Sequence, residues 1–441
     1  MNKACRERLF ARIDGSRRAL VALTQELIRF PTINPPGNAY EPCLHFIGAR
    51  LKNLGFSLDY IRARGTAGDS DTYPRLNLLA RREGAMPGPT VHFNGHIDVV
   101  EAGYGWTVDP FAGVVKDGRV YGRGACDMKG GLAAAMVAIE AIIAENPAYC
   151  GAIEMSATVD EETGGYGGVG YLAQNGYFAA DRVDHVIIPE PLNPDCVCLG
   201  HRGVWWAEID MRGRIGHGSM PFLGISAIRG MGQFLGLVED KLYPRLARRL
   251  TAMPCEPPGA RAATLNFNSI HGGQGEPHGA NPAPVVADSC RLVLDRRYLI
   301  EEDLNEVRAE IIALLDETCG ETPGLGYELR EVMHFPPTMT DPKAAIVSTL
   351  GHFIHEVFDR APRHIASPGT YDQKHVTRFG AVKGCVAYGP GYLDLAHQPD
   401  EWVGIDDMVG SAKVMAASCL TLLGGGGQGR ATEAGDSHAC S

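Results

Sequence analysis

The chain has 441 residues, 45% of them hydrophobic and 21% charged, the balance of an ordinary globular protein with room for two or three domains. Its formal net charge of −11, without a basic stripe interleaved with aromatics, speaks against a nucleic-acid surface. No apolar run approaches the roughly 20 residues of a membrane span, and the opening MNKACRERLFARID is too charged for a secretory h-region, so no membrane association or export is expected.

Residues 3 to about 29 show helical periodicity and run into the proline turn FPTINPPG. TVHFNGHID then reads as a strand, MKGGLAAAMVAIEAIIAE as a helix after a glycine turn, GAIEMSATVD as a strand entering EETGGYGG, and HVIIPEP as a short buried strand. Strands alternating with helices of this length predict a mostly parallel α/β sheet with helices on both faces. The pattern changes near residue 203. GVWWAEIDMRGR alternates by two, and a βαββαβ order follows up to GYELREVMH, which fits a small ferredoxin-like unit. After HFPPT the α/β pattern resumes, with helices expected around residues 342 to 358 and 405 to 423 and a strand at GCVAYGPG. The expected organisation is a catalytic domain (1–203 and 335–424), an inserted α+β domain (204–334) and a disordered, low-complexity tail (425–441). The twelve cysteines form no C-x-x-C pair, and Cys196 and Cys198 are only two apart. They read as free thiols, mostly buried, in a reducing cytoplasm.

Five imidazole and carboxylate side chains stand where predicted strands or glycine turns end: His96 in NGHIDVV, Asp127 in GRGACDMKGG, Glu162 in VDEETGG, Glu190 in IIPEP and His397 in LAHQPDE. In open α/β sheets ligands bind at the carboxyl ends of strands, so segments far apart in sequence would meet on one edge. Two imidazoles and three carboxylates are a ligand inventory for two divalent ions sharing a bridging carboxylate. Glu161 precedes a proposed ligand and is free to act as a base. Asp98, two residues from His96, is expected to accept the ring N–H that a ligating histidine leaves over. An isolated H-x-D or a pair of glutamates would more often be a plain turn or a solvated face. Here the convergence carries the argument. His217 in RIGHGSMP lies in the inserted domain, away from the ligand set, and as a polar donor on a lid it would stabilise an oxyanion.

Taken together, GHIDVV, GRGACDMKGGLAA, DEETGG, PEP, GHGSMPFLGISAI, LDRR, PGTYD and AHQPDE resemble, in order, the dinuclear-metal family of aminoacylases, acetylornithine deacetylases, succinyl-diaminopimelate desuccinylases and glutamate carboxypeptidases. The resemblance implies that Asp127 bridges two metals, that His96 and Glu190 complete one site, and that Glu162 and His397 complete the other. It makes Glu161 the general base and acid. It implies a homodimer through the inserted domain, in which His217 enters the partner protomer's site. Arg297 would bind the carboxylate of a small-molecule substrate, and Gly369 and Thr370 of PGTYD would also contact it. Two departures stand out. The N-x-x-P element common before the LDRR strand falls on Pro284, so Asn281 would substitute only in a rearranged loop. GTYDQKHV replaces a shorter serine-bearing stretch, so that Thr370, Tyr371, Gln373 and His375 are expected to line an unusual pocket.

The expected activity is metal-dependent hydrolysis of the amide bond of a small N-acyl amino acid. The same scaffold acting on a carbamoyl, formyl or aromatic-amine C–N bond is the alternative, and a non-catalytic binding protein would lack a ligand or the base, which this chain does not. Zinc is the default ion for this donor set; cobalt and manganese suit it too.

Overall fold

A computed structural model describes residues 1–145, 148–273 and 284–424; Asn281 and the tail 425–441 lie outside the described residues. The chain forms two compact units, one of Met1–Leu199, Thr340–His364 and the chain from Tyr371 on, the other of Gly200–Met339 with Ile365–Thr370.

The first unit is built on a sheet in the order Ser57–Arg62, Leu76–Glu83, Cys150–Thr158, Met86–His96, His185–Ile188, Gly384–Ala387, Cys196–His201. Its four central strands are parallel, and the outer ones pair antiparallel. Alternation along Met86–His96 assigns its two faces to different covers. On one face, Gly95 lies against Leu132 of the helix Gly130–Glu145, which is buried on nearly every side and packs with Ile405–Gly424. On the other, His92 meets Phe178 and Asn94 meets Asp372. Helices thus cover both faces, as expected, but one face is apolar and the other carries polar side chains.

The second unit holds a four-stranded antiparallel sheet in the order Thr264–Gly272, Ser289–Tyr298, Gly203–Arg212, Gly326–Phe335. The helices Ala227–Leu237 and Leu304–Glu321 close a core with Trp205, Ile209, Phe234, Leu292, Ile311 and Leu315. This is the spatial order of a ferredoxin-like βαββαβ unit.

The helical periodicity over residues 3 to about 29 is carried by two helices, Lys3–Gly15 and Arg17–Ile28, with the chain turning at the poor helix formers Gly15 and Ser16, where the Ser16 N–H bonds back to the Arg12 and Ile13 carbonyls. The second half of GTYDQKHV opens a helix, Gln373–Gly380, whose first residues are buried. Among the described residues no helix is long and apolar enough to cross a membrane, and the cysteines are free, most of them buried.

Candidate active site

His96 ends its strand, Asp127 lies in the turn leading into Gly130–Glu145, and Glu161 and Glu162 form a single helical turn just beyond Cys150–Thr158. Glu190 follows His185–Ile188, and His397 sits in the loop beyond Gly384–Ala387. The geometry joins these five into two triads, His96 with Asp127 and Glu190, and Asp127 with Glu162 and His397, the ligand atoms within each lying within 4.8 Å of one another. Asp127 belongs to both: its Oδ1 is 3.1 Å from His96 Nε2 and its Oδ2 is 3.5 Å from His397 Nε2. His397 Nε2 also stands 3.0 Å from Glu162 Oε2. The start of the helix that follows the Asp127 turn and the Glu190 segment touch through their backbones, since a side chain on Gly131 would come within 1.9 Å of the Pro189 carbonyl oxygen.

The electrostatics fit divalent cations. Burial, then the charge of Asp127, pushes Glu190 well above the usual carboxylate range, and its Oε1 is buried without a hydrogen bond among the described residues. Burial raises Glu162 to about 7 against the pull of His397. The hydrogen bond with Glu162 raises His397 to about 9. Burial would lower His96, but Asp127, Asp98 and Glu190 together hold it well above its ordinary value. Carboxylates and imidazoles crowded in this way share protons, and the nitrogen and oxygen donors are those that divalent ions take in their place.

Asp98 accepts the ring N–H through its main chain rather than its carboxylate. His96 Nδ1 donates to the main-chain carbonyl of Asp98 at 2.9 Å, while the Asp98 carboxylate is 3.6 Å away. A carbonyl only accepts, so Nδ1 carries a proton, and Nε2, which faces Asp127, is the nitrogen that would ligate a metal on losing its own. The Asp98 carboxylate instead accepts the backbone N–H groups of Glu161 and Glu162, each at 3.2 Å, and Asn34 Nδ2 at 3.0 Å. It fixes the turn bearing both glutamates. Beneath that turn Asp160 is paired with Arg75 at 2.9 Å. Burial and the Asp98 charge raise Asp160 to about 6, against Arg75.

Glu161 belongs to neither triad. Its Oε1 accepts from Lys374 Nζ at 3.0 Å. Tyr371, Gln373 and His375 are interior residues, and Thr370 is half-buried. Tyr371 donates to Gln373 Oε1 at 2.6 Å, and Gln373 Nε2 to the Cys385 carbonyl at 2.6 Å. His375 Nε2 meets the Gly164 carbonyl at 2.7 Å. The side chains of Tyr371, Gln373 and His375 are thus engaged inside the fold.

In the second unit His217 is exposed, and its Nδ1 accepts from the Ser219 backbone N–H at 3.2 Å and faces Ser219 Oγ at 2.7 Å. With Nδ1 accepting, the neutral ring carries its proton on Nε2. Arg297 is held bidentately by Asp295, at 2.7 and 3.0 Å. Gly369 donates its N–H to Ser367 Oγ at 3.2 Å.

Sequence reasoning missed Asn34, Arg123, Lys374 and Glu401, which support the ligand-bearing turns from within. The signals present were AHQPDE, whose glutamate was left without a role, and a lysine between polar residues in GTYDQKHV.

Residues 92–421 match the model of peptidase family M20/M25/M40. The chain is 32% identical over 397 residues to a succinyl-diaminopimelate desuccinylase of Stenotrophomonas maltophilia, covering 88% of this chain and 95% of that one. Its fold is similar to human carnosine dipeptidase 1, with TM-score 0.75, 19% identity and coverage of 95% and 99% of the two chains. It is also similar to a dinuclear metal-binding peptidase of the same family from Bacillus subtilis, with TM-score 0.66, 14% identity and coverage of 93% and 99%. The chain belongs to peptidase family M20/M25/M40 and is a hydrolase of amide carbon–nitrogen bonds.

Proposed function

We propose that this protein hydrolyses the amide bond of a small, carboxylate-bearing N-acyl amino acid. His96, Asp127 and Glu190 would hold one divalent ion, and Asp127, Glu162 and His397 a second. The observation that carries the reading is the split of Asp127, one oxygen toward His96 and the other toward His397. When bound, the cations would supply Lewis acidity, acidifying a water and polarising the scissile carbonyl.

The chain's own residues do the rest. Glu161, outside both triads and with Oε1 occupied by Lys374, leaves Oε2 to take the proton of the attacking water and return it to the leaving nitrogen. His217, with its proton on Nε2, is a neutral donor suited to the developing oxyanion. We assign it to the partner protomer's site in a homodimer formed through the second unit. Asp98 holds the Glu161–Glu162 turn and orients His96 through its carbonyl. Arg297, Gly369 and Thr370 would engage the substrate carboxylate, and Nη1 of Arg297 is the edge of the guanidinium left over by Asp295. Relatives named desuccinylases support an acyl group of that kind. Zinc is the expected ion, with cobalt or manganese competent on the same donors, and a reducing cytoplasm suits the free thiols. The carbamoyl or aromatic-amine alternative rested on an unusual GTYDQKHV lining, and no observation here favours it.

The test is a panel of N-succinyl, N-acetyl and N-carbamoyl amino acids and dipeptides, assayed with metal-free protein and after addition of zinc, cobalt or manganese. Turnover of an acyl substrate only with added ion, abolished in Glu161→Gln at unchanged metal content, is expected. Turnover confined to carbamoyl compounds, or undiminished after chelation, would sink the reading.

A further inference from the structure

Lys374 lies inside the first unit with its side chain 1% exposed, and its ammonium donates to Glu161 Oε1 at 3.0 Å. An ammonium leaves water only against compensating charge. Burial alone would lower its proton affinity, but Glu161, Asp372 and Glu190 more than offset this, so the lysine stays charged. Asp372 is itself held by Asn94 Nδ2 at 3.0 Å, and Asn94 Oδ1 accepts from Ser156 Oγ at 2.7 Å. Ser156 Oγ meets His92 Nε2 at 2.7 Å, and His92 Nδ1 faces Glu154 Oε2 at 2.9 Å. Glu154 is anchored in turn by Arg81 at 2.7 Å and Arg182 at 2.5 Å. The residues around Lys374 therefore continue into a row of buried polar side chains crossing the polar face of the sheet. The hydrogen bonds along the row restrict its side chains, although Asp372 Oδ1 and Arg182 Nε are buried without a hydrogen bond among the described residues.

We propose that Lys374 is a positioning residue for Glu161, whose ammonium holds Oε1 so that Oε2 alone faces the attacking water. The proposal rests on the reading of Glu161 as the base. A carboxylate on a short turn can rotate about its side-chain bonds, and a base must meet its proton within hydrogen-bond reach. Fixing one oxygen removes the rotation without touching substrate. A merely structural lysine, there to neutralise buried carboxylates, would instead show itself in stability and metal content.

The experiment uses the full chain reconstituted with zinc and the N-acyl amino acid turned over best in the panel. Lys374→Met, Lys374→Arg, Glu161→Gln and the double variant Glu161→Gln with Lys374→Met are compared. Lys374→Met should lower kcat on the order of 100-fold, the scale of a small misplacement of a reacting group, with KM within about threefold and metal content as in wild type. Lys374→Arg should recover most of the loss. In the Glu161→Gln background Lys374→Met should change little, because both substitutions act on one step. An unchanged kcat in Lys374→Met, or an equal loss in both backgrounds, overturns the proposal. A Glu161→Gln variant with wild-type turnover would instead refute the base assignment and take this inference with it, whereas an inactive Glu161→Gln beside a fully active Lys374→Met removes only the inference. If Lys374→Met does not fold, Lys374→Gln carries the same expectations. A crystal structure of the lysine variant gives a readout independent of turnover: Glu161 should occupy more than one rotamer, and a single unchanged one would count against the proposal.

Discussion

Arg123 and Glu401 form a buried ion pair, 2.5 Å between Nη1 and Oε2, that ties together the turn carrying Asp127 and the loop carrying His397. Glu401 Oε1 accepts the backbone N–H groups of Cys126 and Asp127 at 2.8 and 3.0 Å. Arg123 donates to the carbonyls of His397 and Gln398, each at 3.3 Å. Neither side chain is among the proposed ligands, yet both would set the spacing of two of them. Arg123→Met should leave a buried carboxylate unpaired and cost about 3–5 kcal/mol of stability. Partners that orient ligands typically change metal affinity by about 10–100-fold, so Glu401→Gln should weaken ion binding on that scale. Calorimetric titration of the metal-free variants would check both, and wild-type affinity in Glu401→Gln would show that the pair serves the fold alone.

Asp127→Ala should weaken both ion sites together, and His397→Ala chiefly one, because only Asp127 is shared by the two triads. The same titrations would show two steps lost in the first variant and one in the second. Two intact, independent sites in Asp127→Ala would exclude a bridge.

Glu154 is predicted to make stability depend on acid. Burial alone would raise it, but His92, Arg81 and Arg182 hold it at about 2, below its ordinary 4.5. A depressed carboxylate stabilises the fold above its unfolded pKa and stops doing so as pH falls through the folded value. The stability difference between wild type and Glu154→Gln should therefore be full above about pH 4.5, on the order of 3 kcal/mol from the shift, and shrink toward pH 2. Urea unfolding across that range measures it. A difference independent of pH would mean that packing, not charge, is what Glu154 contributes.

Arg297→Lys keeps the charge but loses the planar fork that Asp295 now grips. We expect KM for carboxylate-bearing substrates to rise several-fold with kcat and thermal midpoint little changed. If KM holds and the midpoint falls, the Asp295 pair is the purpose of Arg297.

Mixing Glu161→Ala with His217→Ala chains should restore activity if His217 acts across the dimer. Random exchange makes about half the dimers mixed, each with one working site, so roughly a quarter of wild-type activity is expected under two-fold symmetry. No recovery with mixed dimers confirmed by mass spectrometry would place His217 in its own chain's site or outside catalysis.

The ligand set was legible because each member stands where an apolar strand or glycine turn stops, and strand ends of a parallel sheet converge. The supports were harder to see. Arg123, Lys374 and Glu401 carry no signal of burial in the sequence, since such residues are rarely buried unless paired, and their partners lie far away in sequence. One sign was visible: His92, Asn94 and His96 fall two apart in a strand, which marks a polar face on a buried element.

The contact between Gly131 and the Pro189 carbonyl has a wider consequence. The span from the Asp127 turn to Glu190 is set by two main chains in contact, not by any side chain that could be exchanged. Residues facing the substrate can change identity while that span holds. The ruler for the span between two proposed ligands of the same ion is therefore an atom that glycine lacks.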